Sequence, residues 1–194
     1  ARLEALVVDS ILSGEHEEEL ASRIAALGWR AGGAVAALIG VASEPVDQDS
    51  LRRIARKNHA DVLIGVHGNR LIVVIGRIKN SSPSQIETTT FMKIAESLDS
   101  YFGAGPMVLG PEVSSVAEAN RSTKAALAGF AVVKSWPKAP RPILAEDLLA
   151  ERSLAGDMLA KQTLIERIYR PLSANSPELL ETLTAYLETG RSLE

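Results

Sequence analysis

The chain has 194 residues, of which 46% are hydrophobic and 23% are charged, a composition that excludes the disordered and membrane-spanning classes. The net charge of −3 gives the whole chain no attraction for a phosphate backbone, and the lack of cysteine excludes disulfides, thiolate zinc sites and a cysteine nucleophile. We expect a soluble, cytoplasmic protein without a membrane span or an export signal.

The N-terminal part of the sequence predicts two helices followed by a buried strand. Residues 1–12 form an amphipathic helix whose inner face consists of Leu3, Leu6, Val7, Ser10 and Ile11. A second helix begins in the acidic run at Glu15 and ends at Gly28. The apolar run from Gly33 to Ala42 is typical of a strand buried on both faces, and we expect it to be the central strand.

A helix and a hairpin come next. Asp47 is a candidate N-cap for a helix that runs to about residue 58. The inner face of this helix consists of Leu51, Ile54, Ala55 and Asn58. Two β-branched runs, residues 62–66 and 71–75, flank a tight turn at Gly68-Asn69, and together they predict a β-hairpin.

The following segment predicts a helix, a strand and another helix. The pattern Ser-Pro-Ser-Gln at 82–85 is that of a capped helix start, and the helix is predicted to run to Gly103. Its inner face consists of Ile86, Thr90, Ile94, Leu98 and Phe102. A strand at 106–109 then precedes a helix that opens with a capping box of Ser115 and Glu118. The whole order predicts an α+β fold, a mixed antiparallel sheet covered by helices, with helical extensions at both ends.

The C-terminal part is predicted to be helical after a proline-rich boundary. Three prolines between Trp136 and Pro142 favour an extended segment. Residues 145–155 and 157–170 are predicted to be helices, with Pro171 breaking the run. A final helix starts at Ser176-Pro177-Glu178 and ends at Gly190. Its apolar face consists of Leu179, Leu180, Leu183 and Leu187.

No pattern in the sequence demands catalysis or metal binding. Gly103-Ala-Gly105 precedes a strand rather than a helix, so it is predicted to be a turn and not a phosphate loop. His16, His59 and His67 lack a matched ligand spacing. We assign no catalytic residue, no metal ligand and no cofactor, and the residues that would bind a ligand stay unknown.

Four cations fall on adjacent positions of one predicted helix. They are Arg52, Arg53, Arg56 and Lys57. A solvated helix face is the favoured interpretation of such a stripe. An acidic partner and a phosphate-bearing ligand are the alternatives.

The final predicted helix resembles the opening of a helix-turn-helix module. Residues 179–193 have the pattern Leu-Leu-x-Thr-Leu-x-x-Tyr-Leu-x-x-Gly-x-Ser-Leu, which is similar to the C-terminal module of PucR/CdaR-type transcriptional regulators. The resemblance implies promoter DNA as a partner. In that family the recognition helix belongs to a later segment, so we expect no DNA-contacting residue within 1–194 and take the chain to be a piece of a longer protein.

The predicted core is similar in element order to the GGDEF-like domain that these regulators carry. A working diguanylate cyclase holds magnesium with acidic groups at the hairpin turn and at the end of the first strand. Here the turn reads Val66-His-Gly-Asn-Arg-Leu71 and the strand ends Gly40-Val-Ala-Ser43, without a carboxylate at either place. We therefore expect a domain that senses or dimerises and is not an enzyme.

Short strings resemble one branch of the family more closely. They are residues 1–9, 27–29, 121–127, 139–142 and 168–172. They are similar to the actinobacterial regulators of fatty-acid and mycolic-acid synthase operons. This resemblance implies an effector such as a long-chain acyl-CoA.

The sequence divides into four predicted parts. These are N-terminal helices at 1–28, a GGDEF-like sensing or dimerisation domain at 29–136, a proline-rich linker and helical connector at 137–175, and the first helix of a truncated helix-turn-helix module at 176–194. The unpartnered apolar face of the final helix indicates a homodimer or a higher homo-oligomer. Two alternatives stay open, a nucleotide or cyclic-dinucleotide binding signalling domain and a purely structural dimerisation domain.

Overall fold

The computed structural model of the chain describes residues 2–14, 17–78 and 90–189. The backbone divides into two units, Ala1–Leu148 and Leu149–Glu194. The predicted helix start at 82–85 lies outside the described residues, as does the glycine predicted to end the last helix.

The first unit alternates helices with the strands of a single sheet. Its elements are α1 (Arg2–Ser13), α2 (Glu17–Ala26), β1 (Ala31–Ala42), α3 (Gln48–Lys57), β2 (Ala60–His67), β3 (Arg70–Ile78), α4 (Phe91–Leu98), β4 (Phe102–Leu109), α5 (Ala119–Val132) and β5 (Ile143–Leu144). The strands lie in the order β2-β3-β1-β4-β5. β1 is antiparallel to both β3 and β4, and β5 runs parallel to β4. The predicted α+β fold and the central position of β1 are confirmed.

The sheet separates two apolar cores because successive side chains of a strand point to opposite faces. On β1, Val35 and Ile39 belong to the core formed with α1, α2 and α5. Ala36 and Leu38 belong to the core formed with α3 and α4. The uninterrupted apolar run of β1 is therefore explained by burial on both faces.

The hairpin forms as predicted. β2 and β3 pair from Ala60 with Arg77 through to His67 with Arg70, leaving Gly68 and Asn69 as a two-residue turn. Gly68 has a φ of 61°, which a residue without Cβ adopts at no steric cost.

The helix predicted to reach Gly103 is shorter than predicted. α4 ends at Leu98, a 3-10 turn follows, and Phe102 begins β4. The prediction that Gly103-Ala-Gly105 is a turn is also wrong, because these residues belong to β4, where its register with β1 is irregular. Phe102 continues the helical spacing of Leu98, but it packs in the same core as a strand residue.

The inner face of α1 differs from the prediction in one important respect. Val7, Val8 and Ile11 are buried, whereas Leu3 and Leu6 are exposed. Glu4 is buried instead, with 4% of its surface exposed. Its Oε1 accepts a hydrogen bond from the Ile64 amide of β2 at 2.8 Å, and its Oε2 accepts one from Arg52 of α3. A carboxylate thus supplies the acceptor that this strand at the sheet edge lacks.

The proline-rich segment belongs to the first unit by its contacts. Arg141 donates hydrogen bonds to the carbonyls of Gly103, at 3.0 Å, and Gly105, and to the Asp99 carboxylate. Two residues later, Ile143 pairs with Val108 of β4. The backbone unit therefore continues through Leu148, past the segment where the sequence placed a boundary, while the functional division into four parts stays a prediction.

The capping box predicted between Ser115 and Glu118 does not form. A 3-10 turn at Val116–Glu118 precedes the helix, and the Ser115 side chain makes no capping bond. Glu118 accepts hydrogen bonds from Ser114 instead, from Oγ at 2.8 Å and from the backbone amide at 3.1 Å. These bonds lower the pKa of Glu118.

The described part of the second unit is helical. Its elements are α6 (Leu149–Leu154), α7 (Met158–Leu164), a π-helical turn (Ile165–Tyr169), α8 (Arg170–Asn175) and α9 (Pro177–Glu188). The prediction that Pro171 breaks the run is wrong. The wider π-helical turn directly precedes Pro171, and such a turn changes the hydrogen-bond pattern where a proline lacks its N–H.

Asp157 joins α6 to α7. Its Oδ1 accepts the amides of Leu159 and Ala160, and its Oδ2 accepts the buried guanidinium of Arg152 at 2.8 Å. Burial raises the pKa of Asp157, but the hydrogen bonds from Ala160 and Arg152 and the charge of Arg152 outweigh it and hold the pKa below its ordinary value of 3.8.

Replacing Glu4 tests the carboxylate at the sheet edge. Glu4→Ala leaves the Ile64 amide without its acceptor and Arg52 without its buried partner, so that only the exposed Asp49, 3.6 Å away, still pairs with Arg52. We therefore expect the free energy of unfolding to fall by about 2 kcal/mol. Urea unfolding followed by the fluorescence of Trp29 and Trp136, both in the first unit, measures this. Glu19→Ala is the control, because the exposed Glu19 lies 3.9 Å from Arg23, and its loss should change the free energy by less than about 0.5 kcal/mol. Equal losses would contradict the assignment.

Asp157 makes the stability of the second unit depend on pH. Because its pKa is lowered in the folded state, its contribution is present above about pH 4 and disappears as the pH falls through the folded pKa. We expect Asp157→Asn to lower the thermal midpoint at pH 7 and to differ less from the parent chain at pH 2, as measured by circular dichroism. Glu181→Gln, at an exposed position of α9, should match the parent at both pH values. A difference in thermal midpoint for Asp157→Asn that is as large at pH 2 as at pH 7 argues against the carboxylate.

Candidate functional site

The hairpin turn lies beside the end of β1, as a GGDEF-type site requires. The Ala42 amide donates a hydrogen bond to the Asn69 carbonyl at 2.8 Å, which brings Ser43 and the turn to one end of the sheet. Residues 66–70 are all exposed. The scaffold therefore places the two segments together where the resemblance implies a metal site.

The side chains at this place do not form a set of magnesium ligands. The turn offers the imidazole of His67, the amide of Asn69 and the guanidinium of Arg70. Asp9 of α1 approaches the hairpin, with Oδ1 3.7 Å from His67 Nδ1, and Arg70 lies 5.5 Å from the Phe130 ring. Among the described residues, no group of three or more His, Cys, Asp or Glu side chains could hold a metal ion. Magnesium requires oxygen ligands, so these residues do not fit the ion that a cyclase uses.

The basic stripe on α3 is present, but its four cations differ in their contacts. Arg52 bonds Glu4, and Arg53 bonds the Ser50 hydroxyl. Arg56 and Lys57 are exposed. All four line an open groove of about 610 Å³. Two of the cations thus support the fold, and the choice between a solvated face and an anion site stays open.

The described histidines lie apart. His59 follows α3 with a φ of 55°, and its carbonyl accepts a hydrogen bond from the Ile78 amide at 3.1 Å. His67 is at the exposed hairpin turn. His16 lies outside the described residues.

A cleft that the sequence analysis missed lies beside the proline-rich segment. It has a volume of about 330 Å³, and we call it the Trp136 cleft. Its lining consists of Gly105, Pro106, Val133, Lys134, Trp136, Pro137, Ala139, Pro140 and Arg141. The only signal in the sequence was an aromatic residue inside a proline-rich run, which was interpreted as a linker. The cleft becomes visible only when this run is placed against β4.

The final helix keeps an apolar face exposed, as its sequence predicts. Leu179 and Leu187 of α9 are each 58% exposed, and Leu183 is 38% exposed.

The helices of the described residues include no candidate membrane span, since none combines the length and the apolar character that a span requires.

Comparisons with known proteins bear on this arrangement. The GGDEF-like domain family matches residues 13–132. Uncharacterized proteins of Mycobacterium tuberculosis and Mycobacterium bovis are 35% identical over 206 aligned residues, which cover 100% of this chain and 47% of those proteins. The chain thus spans about half the length of the curated relatives it matches.

A solved structure is similar over nearly the whole chain. It is the crystal structure of a regulator of polyketide synthase expression from Bifidobacterium adolescentis. The likeness has a TM-score of 0.73 at 25% sequence identity and covers 98% of this chain and 78% of the other.

The ligand set at the hairpin turn generates a prediction about turnover. Without carboxylates at the turn or at the end of β1, we expect no conversion of GTP to a cyclic dinucleotide in the presence of Mg²⁺. Chromatography of the reaction, with an active diguanylate cyclase as the positive control, checks this. Magnesium-dependent product formation would show that the ligand set has been misjudged.

Proposed function

Because this chain belongs to the GGDEF-like domain family, we propose that it is the effector-sensing and dimerisation part of a PucR-type transcriptional regulator. The observation that carries the proposal is the structural likeness, over 98% of the chain, to a regulator of polyketide synthase expression. The lack of a magnesium ligand set at the hairpin turn supports a scaffold that senses rather than catalyses.

The DNA-binding part of the proposal comes from α9. Its sequence resembles the first helix of a helix-turn-helix module, and Leu179, Leu183 and Leu187 expose the apolar face that such a helix buries against its neighbours. In this proposal promoter DNA is read by a recognition helix C-terminal to Glu194. Two copies would match the paired half-sites that helix-turn-helix dimers read.

The effector and the operon are taken from the branch resemblance. We propose a fatty-acid or mycolic-acid biosynthesis operon as the target and a long-chain acyl-CoA as the effector. Calorimetric titration with long-chain acyl-CoA tests the effector.

One observation favours a second candidate, a receptor for a nucleotide or cyclic dinucleotide. The groove along α3 collects four cations around a single acid, Asp49, among its lining residues. Phosphates are attracted to such a surface. Titration with GTP and with cyclic dinucleotides separates the nucleotide receptor from the acyl-CoA sensor. The absence of binding to any of these ligands favours a purely structural dimerisation domain.

The regulator proposal predicts DNA binding that depends on the completed C-terminal module. We expect a protein that joins the chain to its full helix-turn-helix module to retain promoter fragments from genomic DNA, while the 194-residue chain retains none. The affinity of the longer protein should fall steeply as salt rises, since phosphate contacts release counterions. Gel shifts at two or more salt concentrations measure both effects. Equal, salt-independent binding by the two proteins counts against the proposal.

A further inference from the structure

We propose that the Trp136 cleft binds a small apolar carboxylate, a monocarboxylic acid with a short hydrocarbon or aromatic group. Such a site would give the proposed regulator a second effector besides the long-chain thioester, and this role rests on the regulator proposal. The binding itself is a property of this chain and is measured without DNA.

The walls of the cleft are held in place before any ligand arrives. The Trp136 amide donates to the Val133 carbonyl and the Ala139 amide to the Trp136 carbonyl, each at 3.0 Å. Pro106, Pro137 and Pro140 each fix one backbone dihedral and have rings that lose little freedom on binding. A ligand therefore meets a preorganised surface, which reduces the entropic cost of binding.

Arg141 joins the two sides of the cleft. The proline-rich segment forms one side and β4 the other, and both contribute to the lining. The Arg141 guanidinium donates to the carbonyls of Gly103 and Gly105 in β4, and it is paired with Asp99. Its charge is thus already compensated, and it acts here as a structural clamp.

The lining favours an apolar ligand. Six of the nine lining residues are apolar, namely three prolines, Trp136, Val133 and Ala139. Trp136 remains 40% exposed. Covering the indole with a ligand would be favourable, because removing apolar surface from water lowers the free energy. The rings and the indole offer flat and aliphatic contacts to a hydrocarbon.

The charge in the cleft favours an anion. Lys134 lies in the lining and is exposed, and no carboxylate of the described residues lies within salt-bridge distance of it. One ammonium compensates one negative charge, which fits a carboxylate better than a phosphate monoester carrying nearly two. The lining thus combines apolar residues with one cation, Lys134, that is not already paired as Arg141 is.

The volume limits the ligand. Sites for drug-sized ligands typically measure roughly 300–1,000 Å³, so about 330 Å³ lies at the small end. The cleft accommodates an acid of a few carbons and not a whole acyl-CoA. Binding here would therefore be distinct from binding of the long-chain thioester.

The chain has two tryptophans, so one substitution isolates the reporter in the cleft. In Trp29→Phe the fluorescence comes from Trp136 alone. We expect hexanoate to change this fluorescence saturably, 1-hexanol to bind about tenfold more weakly, and hexylamine to produce no saturable change. Calorimetry with the parent chain and hexanoate gives the same answer without the substitution, in case Trp29→Phe fails to fold.

Two lysines provide a matched pair. Lys134 lines the cleft, whereas Lys138 is an exposed lysine of the same segment outside the lining. Lys134→Met should weaken hexanoate binding about tenfold and leave 1-hexanol binding unchanged, and Lys138→Met should leave both unchanged.

Three results would overturn the inference. They are the absence of saturable hexanoate binding by both methods, equal affinity for hexanoate and 1-hexanol, and equal losses in the two lysine variants. The regulator proposal fails by a different result, the loss of salt-dependent promoter binding in the longer protein. The two failures are therefore distinguishable.

Discussion

The structure of the first unit depends on satisfying the backbone groups that its five-stranded sheet leaves at the margins. A strand at the edge of a sheet exposes amides and carbonyls that would pair with any other chain. On β2 the Ile64 amide is accepted by the buried Glu4, and the Val62 amide by Asp61. In the irregular part of β4 the carbonyls of Gly103 and Gly105 receive the guanidinium of Arg141. Carboxylates thus accept hydrogen bonds from the amides of β2, and a guanidinium donates hydrogen bonds to the carbonyls of β4.

These contacts also mark how far the sequence could predict the fold. β1, the hairpin and α3 follow from local patterns, namely an apolar run, a glycine turn and the Asp47 N-cap, whose side chain accepts the Ser50 amide. The inner face predicted for α1 does not include Glu4, because helical periodicity selects apolar residues and leaves a carboxylate out. Its partners lie 60 and 48 residues away in sequence, and no local pattern contains them. Phe102 shows the converse, since it fits the period of α4 but its backbone belongs to β4.

The candidate site was also predictable only where it depends on residues that are close in sequence. The hairpin turn and its lack of carboxylates could be read from consecutive residues, and the structure places the turn beside the end of β1 as expected. The Trp136 cleft could not be predicted in that way, because its two sides are joined by Arg141 bonds to carbonyls 38 and 36 residues away in sequence. Proline-rich composition is typical of a linker. Here Arg141 holds the proline-rich segment against β4, so the segment forms one side of the cleft.

The Arg141 hydrogen bonds connect the cleft to β4 and so to the rest of the first unit. A ligand there would contact β4, the residues after α5 and the proline-rich segment, three parts that are separate in sequence. Since such a ligand binds only when these parts are assembled, it stabilises their native arrangement by an amount set by its concentration relative to its dissociation constant. β4 pairs directly with the central strand, and Gly110 after it donates to the Ala37 carbonyl at 2.8 Å. Occupancy of the cleft would therefore act on the strand that contributes to both cores, whereas residues 66–70 of the hairpin turn are all exposed.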